Sequence, residues 1–142
     1  PDTASTISAD RASMAVGAHR RLAVLAERVR RFADGEEILP GVGALATFGH
    51  TPGHMSFQLR AGGDSVLIGG DAIGNSHVSF AEPSWPIGTD QDAVAAAQTR
   101  LRLLDMLAHE KIQLIGYHLP NGGLGRVERS DSRFRFISDG SI

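Results

Sequence analysis

Apolar residues recur at three- and four-residue steps early in the chain: Met14, Ala18, Leu22, Leu25, Val29 and Phe32. That period predicts an amphipathic helix over residues 8–33, with its apolar stripe packed in a core. Ser8 is the expected N-cap and Gly35 the expected stop. From Glu36 the pattern shortens to strand-like runs. Ile38-Leu39, Ala44 to Phe48 and Met55 to Arg60 are strand candidates; in the last, Phe57 and Leu59 alternate with Ser56, Gln58 and Arg60. Ala61-Gly62-Gly63-Asp64 reads as a hairpin turn, and Val66-Leu67-Ile68 as a buried strand. Val78-Ser79-Phe80 is a further short strand candidate in an irregular stretch. Helical spacing returns over residues 90–111, with Thr89 as cap, Asp92 near the exposed N–H groups, and Val94, Ala97, Leu101, Leu104 and Ala108 as the buried stripe. Ile112 to Ile115 is a short buried strand; Gly122, Gly123 and Gly125 open a loop; Val127 and Phe134 to Ile137 finish as edge strands. The expected result is one α/β (α+β) unit over residues 1–142, with two main helices and residues 1–7 loosely ordered.

Composition narrows the chemistry. At 142 residues, 42% apolar and 21% charged, the chain is an ordinary single globular domain. Its net charge of −2 points to neither nucleic acid nor an anionic membrane as partner. No apolar run reaches the ~20 residues of a membrane span. There is no cysteine, so thiolate metal sites and disulfides are excluded, and any metal must be held by His, Asp or Glu.

Candidate chemistry clusters at the ends of the apolar runs. Phe48-Gly49-His50-Thr51-Pro52-Gly53-His54 follows the second strand candidate, Gly69-Gly70-Asp71 follows Val66-Leu67-Ile68, and Gly116-Tyr117-His118-Leu119-Pro120 follows Ile112 to Ile115. His50 and His54 are four apart, but Pro52 and Gly53 break any helix between them, so each stands on its own argument. Two histidines and an aspartate at three strand ends form a constellation suited to metal binding. Each alone has an ordinary reading as a packed histidine or a turn aspartate. His77 sits near Asp71 in the irregular stretch and reads as a solvated loop residue. Trp85 reads equally as a pocket aromatic or as a loop anchor. Gly122 to Gly125 lacks the Lys-Ser/Thr of a phosphate loop, and no Gly-x-Ser-x-Gly elbow supports serine catalysis.

His50-Thr51-Pro52-Gly53-His54, then Asp71 at a spacing of 21, then His118 a further 47 along, resemble the C-terminal half of a metallo-β-lactamase-fold hydrolase. The branch most resembled is that of methyl parathion hydrolase and related lactonases, over residues 36–137. The resemblance implies an αββα sandwich with a mixed sheet and a centre of two zinc ions, other divalent metals being possible. It assigns His50 to the first metal, Asp71 to a bridge between both, and His118 to the second, with His54 and Thr51 supporting them. It implies hydrolysis of an ester, lactone or phosphotriester by a metal-bridging hydroxide, with Asp71 as the catalytic carboxylate. Ile73, Phe80, Trp85 and Leu124 are candidates for a pocket holding an apolar acyl or aryl group, by position alone.

The family's His-x-His-x-Asp-His motif is missing from residues 1–49, where His19 is the only histidine. Each metal is left with two protein ligands, against at least three in ordinary catalytic zinc sites. The chain therefore reads as part of a hydrolase, expected to bind zinc weakly and to turn over little by itself. A non-catalytic half-domain that self-associates through an exposed sheet face is an alternative. A glyoxalase II-like thioesterase ranks lower, because its last histidine lies in a Gly-His-Glu context, unlike Tyr117-His118-Leu119. An RNA-processing member ranks lower still on charge. A cytoplasmic location is expected, with export to a periplasm left open.

Overall fold

The structure, a computed structural model, describes residues 9–140. By its contacts the chain divides into two compact units, residues 1–31 and 32–142. The expected cap at Ser8 and the expected disorder of residues 1–7 lie outside the described residues.

In the first unit, helix α1 spans Ala9–Leu25 and tightens into a 3-10 turn at Ala26–Arg28. It ends short of the expected Ala33, because Val29 turns to extended backbone (φ −88°, ψ 121°). The apolar stripe is not a core: Met14, Leu22 and Leu25 are exposed. A lone helix has no second layer inside its own unit against which to bury them. Gly35 is not the helix stop. It turns the chain into the first strand at φ +76°, donating its N–H to Ala44 O.

The second unit is built on a seven-stranded sheet in chain order: β1 (Glu37–Leu39), β2 (Val42–Ala46), β3 (Met55–Ala61), β4 (Asp64–Gly70), β5 (Gln113–Gly116), β6 (Leu124–Ser130) and β7 (Arg133–Ser138). Neighbours are antiparallel except β4 and β5, which run parallel. The β3–β4 hairpin closes as its sequence predicts, with Gly62 and Gly63 both at positive φ and Ala61 paired with Asp64. A parallel β4–β5 pair needs a crossover. Here it contains α2 (Val78–Ala81) and α3 (Ala93–Glu110). The α2 segment is a helix and not the expected strand. Asn75 Oδ1 accepts from the N–H groups of His77 and Ser79, and the Ser79 hydroxyl accepts from Asn75 N–H, so a side-chain turn starts a helix there. β6 lies inside the sheet, leaving only β7 of the last two strands at an edge.

Helix α3 is capped by Asp92, whose carboxylate accepts from Ala95 N–H, and not by Thr89. Its buried face is also turned from the expected one. Ala96, Thr99, Arg100, Leu103, Leu104 and Leu107 are buried, while Val94 and Leu101 are exposed. Thr99 and Arg100 find their hydrogen-bond acceptors on the inner side, and those bonds favour this rotation of the helix. The leucines of that face pack on Leu67, Leu114, Val127 and Phe134 from one side of the sheet. The other side carries Val42, Phe57, Leu59, Val66, Ile68 and Ile115, paired across β2 to β5. Ile68 and Ile115 there are more than a third exposed.

Candidate metal centre

Strands β2 and β4 are each antiparallel to β3, so they share a direction, and β5 runs parallel to β4. Their C-terminal ends therefore meet at one end of the sheet. His50 follows β2, Asp71 follows β4 and His118 follows β5, so sheet topology alone brings the three together.

The loop between β2 and β3 is held from two directions. Thr47 N–H donates to His54 O, and Gly49 and His54 N–H both donate to Thr51 O, so Thr51 supports the loop through its carbonyl. The segment around the start of α3 holds the other side. Thr99 Oγ1 donates to Phe48 O, Asp92 N–H to Gly49 O, and Gln91 N–H to His50 O. Gly49 makes this approach possible: at φ +129°, a Cβ there would lie 2.2 Å from Ala96 N.

Asp71 lies between the two imidazoles. Its Oδ1 is 3.0 Å from His118 Nε2, and its Oδ2 is 3.8 Å from His50 Nε2. Each carboxylate oxygen thus faces a different histidine. The donor types, imidazole nitrogen and carboxylate oxygen, are those zinc takes. Among the described residues no three His, Cys, Asp or Glu side chains form a group able to hold one ion.

His54 sits behind this carboxylate. Its Nε2 accepts from Asp71 N–H at 3.0 Å, so the proton is on Nδ1, which donates to Thr47 Oγ1 at 2.8 Å. Thr47 and Ser56, both fully buried, are linked at 3.0 Å, and Ser56 Oγ donates to Gly69 O. The relay starts at Asp71 and returns to the chain two residues earlier, which fixes the turn that carries the carboxylate. Burial first, then the neighbouring His50, push the His54 imidazole below its ordinary pKa, against a weaker upward pull from Asp71. The neutral ring this relay needs is therefore favoured.

Two contributors escaped the sequence reading. His50 Nδ1 is 3.2 Å from Asp90 Oδ1, and Asp90 Oδ2 accepts from Arg100 at 2.9 Å. The Asp90 and Arg100 side chains are 4% and 1% exposed, so this is a buried ion pair. Burial pushes Arg100 below the ordinary arginine range, and Asp90 opposes that shift. No local pattern marks such a pair: Asp90 reads as the polar start of a helix, and Arg100 as one more charge on it.

The proposed pocket residues separate. Ile73 and Phe80 are 0% and 1% exposed and belong to the hydrophobic core. Trp85 is exposed, and its carbonyl accepts from Arg100. Leu124 pairs with Ile115. His77 starts α2 and is exposed. A cavity of about 310 Å3 does open against Asp71, but Ile68, Gly70, Ile115 and Tyr117 line it instead.

The chain spans 41% and 51% of the length of two solved structures it resembles. One is a dizinc quorum-quenching lactonase, AidC, in complex with a product (23% identity over 85% of this chain, TM-score 0.78). The other is a hydrolase, AbOPH, in the beta-lactamase superfamily (25% identity over all of this chain, TM-score 0.82). An N-acyl homoserine lactone hydrolase with the product N-hexanoyl-L-homoserine bound at its catalytic metal center is 29% identical over 64% of this chain and 36% of its own, with a TM-score of 0.53. No curated protein matches the chain. Residues 9–116 match the metallo-beta-lactamase superfamily, and with the mixed sheet and the His50, Asp71 and His118 positions at its strand ends, the chain belongs to that superfamily.

Proposed function

We propose that this chain is part of a metal-dependent hydrolase acting on a lactone or carboxylic ester. The observation that carries the proposal is the division of Asp71, with one oxygen toward His118 Nε2 and the other toward His50 Nε2. In this reading His50 and Asp71 hold one zinc ion, and Asp71 and His118 hold a second. Bound there, the ions supply a water of lowered pKa and a Lewis acid for the developing oxyanion. The chain's own residues orient the ligands: His54 holds the Asp71 backbone, and Ile68, Ile115 and Tyr117 receive the apolar part of a substrate beside it. The lactone hydrolase at 29% identity supports the substrate class, and phosphotriesters are a second class to be assayed. Two ligands per ion and a span of about half the resembled chains support the view that further ligands come from elsewhere in the whole protein.

The test is turnover of lactone, ester and phosphotriester substrates by the zinc-loaded protein, with His118→Ala alongside. Zinc-dependent turnover abolished by the substitution supports the proposal. Activity that needs no metal, or that His118→Ala leaves intact, overturns it. For the chain by itself, calorimetric titration should give weak zinc binding; tight uptake of two ions would contradict the view that further ligands come from elsewhere in the whole protein.

A second reading rests on the open sheet face. Ile68, Ile115 and the 80%-exposed Tyr117 form an apolar surface that a second copy could cover in a homodimer. Light scattering after size exclusion decides between a dimer and a monomer.

A further inference from the structure

The proposal concerns Asp90 and Arg100, which lie outside the three-residue site and ten positions apart in sequence. His50 offers two ring nitrogens, and a ligand can use only an unprotonated one. Nδ1 faces Asp90 Oδ1 at 3.2 Å; Nε2 faces Asp71. The other Asp90 oxygen accepts from the Arg100 guanidinium, so the carboxylate is an acceptor at both ends. In the neutral ring an acceptor at Nδ1 places the proton there, and the lone pair is then on Nε2, the nitrogen that faces Asp71.

Arg100 is held in turn. Its second terminal nitrogen donates to Pro83 O at 2.8 Å and to Trp85 O at 3.1 Å. One guanidinium therefore joins α3, the loop over residues 83–85, and Asp90. Among the described residues Arg100 Nε has no hydrogen-bond partner. Leaving it so costs stability. An arginine that merely stabilised the core would be better replaced by a leucine, because buried ion pairs are seldom worth their desolvation. The pair's placement against His50 gives it a role that packing does not.

We propose that the buried Asp90–Arg100 pair is a positioning element that fixes the tautomer and orientation of His50, so that Nε2 is presented beside Asp71. Its metal-binding consequence rests on the hydrolase reading above; the tautomer does not. Neither residue touches a reacting group, so both act through His50.

The test uses the chain labelled with 15N-histidine. Ring nitrogen shifts should report His50 as the Nδ1–H tautomer. Asp90→Asn should convert it to a mixture. Because that change also strands Arg100, the double variant Asp90→Asn/Arg100→Met removes the buried charge and keeps the volume, and should give the same mixture in a folded protein. Zinc affinity should fall about 10–100-fold in both variants, and remain unchanged in Asp105→Asn, a surface control. A His50 that stays entirely Nδ1–H in a folded variant, with zinc affinity within twofold of the unsubstituted chain, overturns the proposal. If the unsubstituted chain takes up no zinc while its His50 tautomer still changes in the variants, the positioning role stands and the metal reading of the site fails instead.

Discussion

His50 and His118 face one carboxylate from opposite sides, yet the protein holds them in different ways. The side chain of His50 is 24% exposed and lies in a loop whose carbonyls at 48, 49 and 50 are all bound by residues 91–99. Behind it stand Asp90 and Arg100, and beside it the relay through His54, Thr47 and Ser56. His118 is 47% exposed, meets Asp71 by a single hydrogen bond, and has its ring against Tyr117, which is itself exposed. Half of the site is thus organised in advance by buried polar contacts. The other half is solvent-exposed and has no comparable set of buried contacts among the described residues. Preorganisation here follows burial, because a hydrogen bond fixes geometry best where water cannot compete for it.

The contrast is broken most severely at its buried end. Asp90→Ala removes the counterion of a guanidinium that is 1% exposed, and stability should fall by about 3–5 kcal/mol in urea unfolding. A loss below about 1 kcal/mol would mean that Arg100 finds water or another acceptor, and that the His50 side is no better held than the other. Gly49→Ala follows. The new methyl would meet the α3 backbone at Ala96 in a conformation that L residues resist, for about 2–4 kcal/mol. The loop carrying His50 would have to leave α3, so the same variant should also weaken zinc binding.

These two positions also mark what could be seen in the sequence. Strand-end placement of His50, Asp71 and His118 was legible, because short apolar runs followed by glycine-rich turns are local signals. So was the hairpin at Gly62-Gly63. The rotation of α3 was not: hydrophobicity favoured Val94 and Leu101 as buried, whereas Thr99 and Arg100 decide the face by reaching Phe48, Pro83, Trp85 and Asp90. A residue's partners fifty positions away leave no trace in its own neighbourhood. The same holds for the pocket. Ile73 and Phe80 are pocket candidates by position alone, but the space beside Asp71 is lined by Ile115 and Tyr117 from β5 and the turn after it, which the parallel β4–β5 pairing sets next to β4.

A milder change tests the relay. Thr47→Val keeps volume but removes the hydroxyl that links His54 Nδ1 to Ser56 Oγ, leaving a buried ring N–H without its acceptor. A loss of about 1–3 kcal/mol is expected, together with faster amide exchange at Asp71, whose N–H the His54 ring accepts. Unchanged exchange at Asp71 would show that the turn holds itself without the relay.

The smallest stability effect should come at His118. Its ring is half exposed, its bond to Asp71 is shared with solvent, and Leu119 beside it keeps its own place in the core. His118→Ala should therefore shift unfolding by no more than about 0.5 kcal/mol. The same substitution removes one of the two side-chain nitrogens that face the carboxylate among the described residues, so its effect on zinc uptake should be large. That pairing of a small structural cost with a large functional one is what the comparison requires of the open half. A loss above about 1 kcal/mol would mean that His118 is a structural residue, and that the two halves of the site differ in exposure but not in kind.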